Sequence, residues 1–170
     1  MKTSQNFTII YILLAVAQMV ICNYFRISPY IYVTILPAMV LCIPLKAGTP
    51  AAMLAAFGTG ISVDLLAEGV LGLNTLALVP VALIRFPVLK MLMGTEMQEK
   101  NYRLTMRSAG IWKMLMAAVI CNALFLAVYV IADGAGARPF WFNAIRFGAS
   151  LVCDSILALL VIHVLNPEER

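Results

Sequence analysis

The run "GTGISVDLLAEGVLGLNTLALV", residues 58–79, sets a carboxylate, Asp64, in apolar and glycine-rich surroundings and follows it with Gly69, Gly72 and Asn74. Apolar segments flank it, over residues 50–66 and 71–93. Each is close to the roughly 20 residues that cross a bilayer as a helix. The short "EGVLG" between them, residues 68–72, is then a tight reversal between two spans. Glycine suits such a turn because the backbone reverses without a Cβ penalty. Asn74, in the first turn after the reversal, is placed to satisfy backbone groups that the turn frees. Ala52, Ala56 and Gly60 recur every four residues before it, a small-residue stripe that lets another helix approach closely. The stripe reads as internal packing, with dimerisation as the alternative. The stretch is a helical hairpin inside a membrane, with Asp64 near its turn.

The rest of the chain agrees with this reading. Of 170 residues, 63% are hydrophobic and 12% charged, and the mean hydropathy is +0.96. Soluble domains are about half apolar and about a quarter charged. The expected class is an all-α integral membrane protein, with one membrane domain over residues 1–170 and six transmembrane helices. Their expected bounds are 7–24, 30–45, 50–66, 71–93, 110–132 and 140–165. The second is short and holds Pro37, with Pro29 and Pro44 at its ends, so it is kinked or shielded by its neighbours. The fourth holds Pro80 and Pro87, and a bend is expected there. "AVAQ", residues 15–18, resembles a cleavage site, but the apolar run continues through Cys22 and the segment reads as an uncleaved span. The cysteines at 22, 42, 121 and 153 lie in apolar runs without a CxxC pair and read as buried hydrophobes.

Six spans put both termini on one side. That side carries Lys2, Lys46, Lys90, Lys100, Arg103, Arg107 and Arg170, with Lys113 at its edge, against Arg26 and Arg138 opposite. Basic loops stay in the cytoplasm, so both termini are expected to be cytoplasmic. "RPFWF", residues 138–142, reads as an outer interface anchor. The long connection, residues 94–110, mixes Glu96, Glu99, Lys100, Arg103 and Arg107 with Tyr102, Leu104 and Met106. It reads either as a solvated connector or as a short surface helix that meets anionic lipids or a cytoplasmic protein.

Asp64, Arg85, Arg146 and Asp154 fall well inside expected spans. Intramembrane charges face protein or water and find partners. At about 1.5 Å rise per residue, Asp64 and Arg146 each lie about 9 Å below the outer edge. Arg85 and Asp154 each lie about 21 Å down. Depth matching therefore pairs Asp64 with Arg146, and Arg85 with Asp154. These pairs either lock helix packing, line a polar cavity, or await a partner's charge; Arg85 also has the option of snorkelling to the inner interface.

Catalytic signatures are missing. His163 has no second histidine at metal-binding spacing, and no GxSxG, HExxH, Walker or dinucleotide motif occurs. No enzyme activity, metal or cofactor is expected.

The hairpin resembles that of the bacterial rod-shape-determining MreD family. Members show a glycine, three residues, an aspartate with two aliphatics, a Gly-rich turn ending in Leu-Gly, and a Leu/Ala-rich helix. Here these positions are Gly60, Asp64, Leu65, Leu66, Gly69, Leu71, Gly72, Leu76, Ala77 and Leu78. The specific part covers about 20 residues; length and hydropathy carry the rest. Ala67 and Glu68 stand where Ser or Gly is commoner, and the tail "NPEER" replaces a basic one. The resemblance implies a non-enzymatic plasma-membrane scaffold that binds MreC and helps couple the MreB cytoskeleton to peptidoglycan synthases. It also implies a fold similar to the six-helix vitamin-binding S-components of energy-coupling-factor transporters. Such a substrate-binding subunit is the alternative function, with Asn74, Asn143, Arg146 and Asp64 as its polar candidates. A lipid flippase or small channel is a third class.

Overall fold

A computed structural model describes residues 2–24, 30–94, 110–134 and 138–165. Among them the α-helices are α1 (Lys2–Tyr24), α2 (Leu36–Leu41), α3 (Gly48–Val63), α4 (Leu73–Met93), α5 (Ile111–Gly134) and α6 (Phe140–Leu165). Among the described residues five stretches are long and apolar enough to cross a membrane: Phe7–Tyr24, Leu45–Glu68, Leu73–Met93, Ile111–Gly134 and Phe140–Leu165. The chain is thus an all-helical, multi-pass membrane protein in kind. The connection expected to touch lipid or protein, apart from its ends, lies outside the described residues.

The second expected span is not a long helix. Only Leu36–Leu41 is helical, a six-residue piece with extended backbone before it and a short 3-10 turn, Leu45–Ala47, after it. Proline explains both limits. Pro37 sits in the first turn of α2, where its missing N–H costs nothing. Pro44 adopts φ −53° and ψ 134°, which stops the helix. All six residues of α2 are almost fully buried. The helix packs against α1, α3, α4, α5 and α6 and lies at the centre of the apolar core. Non-helical backbone at membrane depth is tolerated only where protein shields it, and the five long helices provide that shield.

The hairpin forms as the glycines suggest. α3 ends in one wide π-turn, Asp64–Glu68, and Gly69 and Gly72 take left-handed φ values of 72° and 90°. A Cβ on Gly60 would stand 2.7 Å from Thr75 Cα, so glycine lets α3 and α4 touch backbone to backbone. Ala52, Ala56 and Gly60 all face inward, so the small-residue stripe is used within the bundle. α4 continues as one helix through Pro80 and Pro87.

A buried polar framework as the candidate functional site

Three of the four intramembrane charges, Asp64, Arg85 and Asp154, meet backbone groups instead of an opposite charge. Asp64, fully buried at the end of α3, caps the start of α4. Its Oδ1 accepts the backbone N–H of Asn74 at 2.9 Å and the Asn74 carboxamide at 3.0 Å. Its Oδ2 accepts the Gly72 N–H at 3.0 Å, the Thr75 N–H at 3.2 Å and the Thr75 hydroxyl at 2.7 Å. The first N–H groups of a helix have no partner within it, and a carboxylate there also suits the helix dipole.

The unwound chain around α2 is held in the same way, with the sign of each charge matched to the groups it meets. On the side before α2, backbone donors point outward. Thr34 N–H gives 2.9 Å to Asp154 Oδ1, Tyr32 N–H gives 2.8 Å to the Ser150 hydroxyl, and Ile35 N–H gives 2.8 Å to Gln18 Oε1. On the far side, the groups met are carbonyls. Arg85 Nη1 donates to Val40 O at 3.0 Å and to Ile43 O at 2.7 Å. Side-chain oxygens therefore hold the donor end and a guanidinium the acceptor end, as helix polarity requires.

The pairs expected from depth are thereby corrected. Neither Asp64–Arg146 nor Arg85–Asp154 forms an ion pair. Arg146 instead binds Asp133, which also binds Arg138 at 2.6 Å. Depth matching compares only side chains, whereas a broken helix presents a denser set of polar groups on its own backbone.

Two residues missed in the sequence complete the hairpin end: Glu68 and Asp133. Glu68, read as a turn residue, reaches across the bundle. Its Oε1 lies 2.6 Å from the Tyr32 hydroxyl and its Oε2 3.2 Å from that of Tyr129. The Cys22 thiol lies 3.8 Å from Oε1. The Tyr32 hydroxyl also lies 2.9 Å from Asn74 Oδ1, so one proton serves two acceptors. Tyr32 and Tyr129 stack with centroids 4.1 Å apart, and the Arg146 guanidinium lies 5.9 Å and 5.7 Å from the two rings. Asp133 fell just beyond the expected end of its span, which hid it as a partner. The signal for both was polarity itself: each is an acid beside an apolar run that no surface composition requires.

This cluster joins the ends of α1, α3 and α5 to the starts of α4 and α6 through Asp64, Glu68, Asn74, Tyr129, Asp133 and Arg146. Gly69, Leu71 and Gly72 belong to its turn; Leu71 is exposed on the outside of the bundle and Gly69 and Gly72 supply the backbone geometry. Lys46, Lys90 and Lys113 fall at the opposite end, beside the start of α3, the end of α4 and the start of α5. His163 is exposed in the last turn of α6. Among the described residues no group of three or more His, Cys, Asp or Glu side chains is arranged to hold a metal, and the four cysteines are free thiols. The geometry positions helices; no nucleophile–base couple stands open to a substrate among these contacts. No protein-family model, curated protein or solved structure matches this chain.

Proposed function

We propose that this chain is a non-enzymatic scaffold of the bacterial cell-elongation complex, in the plasma membrane with both termini cytoplasmic. It binds MreC and helps couple the MreB cytoskeleton to the peptidoglycan synthases. The observation that carries the reading is the use made of the hairpin motif. Gly60 allows the helix contact, Asp64 caps α4, Gly69 and Gly72 make the reversal, and Asn74 ties cap to Tyr32. These are the positions that carry the family resemblance, and each fixes shape. A chain whose motif is spent on rigidity suits a platform for partners. The lysines Lys46, Lys90 and Lys113 at the end opposite the hairpin support the orientation, because basic residues stay on the cytoplasmic side.

The test is co-purification. The tagged full chain in a rod-shaped bacterium retains MreC through detergent extraction, and Asp64→Leu loses it together with rod shape. Normal rods and undiminished MreC recovery in that variant overturn the reading.

One observation favours the alternative of a vitamin-binding S-component. Arg146 Nε, beside the stacked tyrosines, and Asn143 Oδ1, beside Gly134, are buried without a hydrogen-bond partner. A donor and an acceptor within one turn of α6, with aromatic rings at the donor, are elements of a small-molecule site. A vitamin that raises the melting temperature of the purified chain selects this reading over scaffolding.

A further inference from the structure

The seam between α5 and α6 carries a second polar tier, deeper than the hairpin end. The two helices run antiparallel. At their outer contact Asp133 binds Arg146, and a Cβ on Gly134 would lie 3.1 Å from Asn143 Nδ2. Eleven residues along an α-helix amount to three turns plus about 20°, so the same face returns about 16 Å away. Eleven residues inward from Asp133 is Asn122, and eleven inward from Asn143 is Asp154. These two side chains therefore stand at about one depth, on the stripes of α5 and α6 that carry Asp133 and Asn143.

Both are buried, at 1% and 0% exposure. Neither the Nδ2 nor the Oδ1 of Asn122 has a hydrogen-bond partner, and Asp154 Oδ2 has none. The other oxygen of Asp154 is occupied by Thr34 N–H. Buried polar atoms in native proteins are nearly always paired, and leaving one unpaired is costly. Three such atoms from two residues at about one depth point to a shared ligand.

We propose that Asn122 and Asp154 form a binding site for ordered water in the membrane interior. The water bridges α5 to α6 and, through Asp154, to the unwound chain that leads into α2. The chemistry selects the ligand. Asn122 presents both donor and acceptor atoms and Asp154 a second carboxyl oxygen, which a species that both gives and takes hydrogen bonds satisfies. A metal cation leaves the Asn122 N–H groups unmet, and an anion leaves the Asn122 carbonyl oxygen unmet. A buried water makes about three hydrogen bonds, the number of atoms on offer. Tyr129 and Ser150 continue the same two stripes between the tiers, seven residues from Asn122 and from Asn143, and mark the route from the hairpin end. The site stands on this seam alone and does not depend on the scaffold reading.

The experiment compares wild type, Asn122→Leu, Asp154→Leu and Asn122→Leu/Asp154→Leu, each as the full chain in lipid nanodiscs, by thermal unfolding. With water at the site, Asn122→Leu strands Asp154 Oδ2 and lowers the melting temperature, and the double variant loses less than the sum of the two single losses, although Asp154→Leu also strands Thr34 N–H. At a dry site the same substitution removes an unpaired amide, so an unchanged or raised melting temperature overturns the proposal, as do additive losses in the double variant. Where Asn122→Leu does not fold, a side-chain-resolution map of the wild-type chain decides. A density peak about 3 Å from both Asn122 and Asp154 supports the site; direct contact between the two side chains, or a featureless gap, overturns it.

Discussion

Asn74 binds Asp64 twice, through its backbone N–H and through its carboxamide, both to Oδ1. Gly72 and Thr75 take the other oxygen. One carboxylate at the end of α3 thus receives the free donors at the start of α4, and the two helices are joined through the turn's own backbone. The cap comes from the preceding helix, and its reach fixes the angle of the hairpin as well as its existence. An ordinary cap at residue 72 is impossible because that residue is glycine, which has no side-chain acceptor.

Removing the Asp64 carboxylate therefore leaves several donors buried without an acceptor. Asp64→Leu is expected to destabilise the chain clearly, at about 1–3 kcal/mol for a donor left without an acceptor. Asp64→Asn keeps one carbonyl oxygen and is expected to lose less. Thermal unfolding of the two variants in nanodiscs gives the order; equal losses in both contradict the capping role.

Glycine's role differs between two positions on α3, and the difference has a sign. At Gly60 an added Cβ meets the Thr75 backbone at 2.7 Å and 2.9 Å, atoms that do not yield easily. Gly60→Ala is expected to cost about 1–3 kcal/mol through overpacking. At Gly58 nothing lies within 4 Å of the added atom. Gly58→Ala is expected to be neutral or to stabilise by up to about 1 kcal/mol, because alanine loses less backbone freedom in a helix. Opposite shifts in melting temperature check the pair.

Asp133 holds two arginines of unequal worth. The Arg146 side chain is 11% exposed and that of Arg138 is 40% exposed. Burial weakens screening, so the Arg146 contact, a charge-assisted hydrogen bond, is expected to contribute about 1.5–3 kcal/mol. The Arg138 contact, largely in solvent, belongs with surface pairs of about 0–1 kcal/mol. Arg146→Gln should lower stability clearly more than Arg138→Gln, and a double-mutant cycle with Asp133→Asn should show coupling only for Arg146. Equal coupling for both arginines would falsify this ranking.

The long helices were legible because hydropathy and length decide them, and their ends fall near Tyr24, Met93, Gly134 and Leu165 as the apolar runs suggest. Gly60, Gly69 and Gly72 were legible because a reversal between two spans leaves few other residues possible. The second span was only half legible. Pro37 and Pro44 marked trouble, but nothing local says that just six residues stay helical, since burial by five neighbours makes the unwound remainder tolerable. The charges were legible as buried but not in their partners. Asp154 and Arg85 were matched by depth to each other, whereas the backbone that they satisfy becomes available only once α2 is known to be broken. Glu68 was hidden for a similar reason: Tyr32 and Tyr129 come from segments 36 and 61 residues away.

Arg85 offers the sharpest test of that backbone role, because the obvious conservative change keeps its charge. Its Nη1 bridges Ile43 O and Val40 O, of which Val40 O also accepts the Ile43 N–H, where α2 ends. A lysine there retains the positive charge but not the planar fork that sets the donor between two carbonyls. If the charge alone mattered, through the field of a buried acid, Arg85→Lys would be nearly silent. If the carbonyls matter, it should lose about 1–3 kcal/mol, and Arg85→Met more, since Ile43 O then loses its donor and Val40 O keeps only the Ile43 N–H. Backbone amide exchange adds a local readout. Loosening of the C-terminal side of α2 should raise exchange at Cys42 and Ile43, whose N–H groups bond to Ala38 O and Val40 O, while Thr34, held by Asp154 at the other end, stays protected. Uniform loss of protection across the bundle, with no gradient along α2, would show that Arg85 stabilises the chain by some other route.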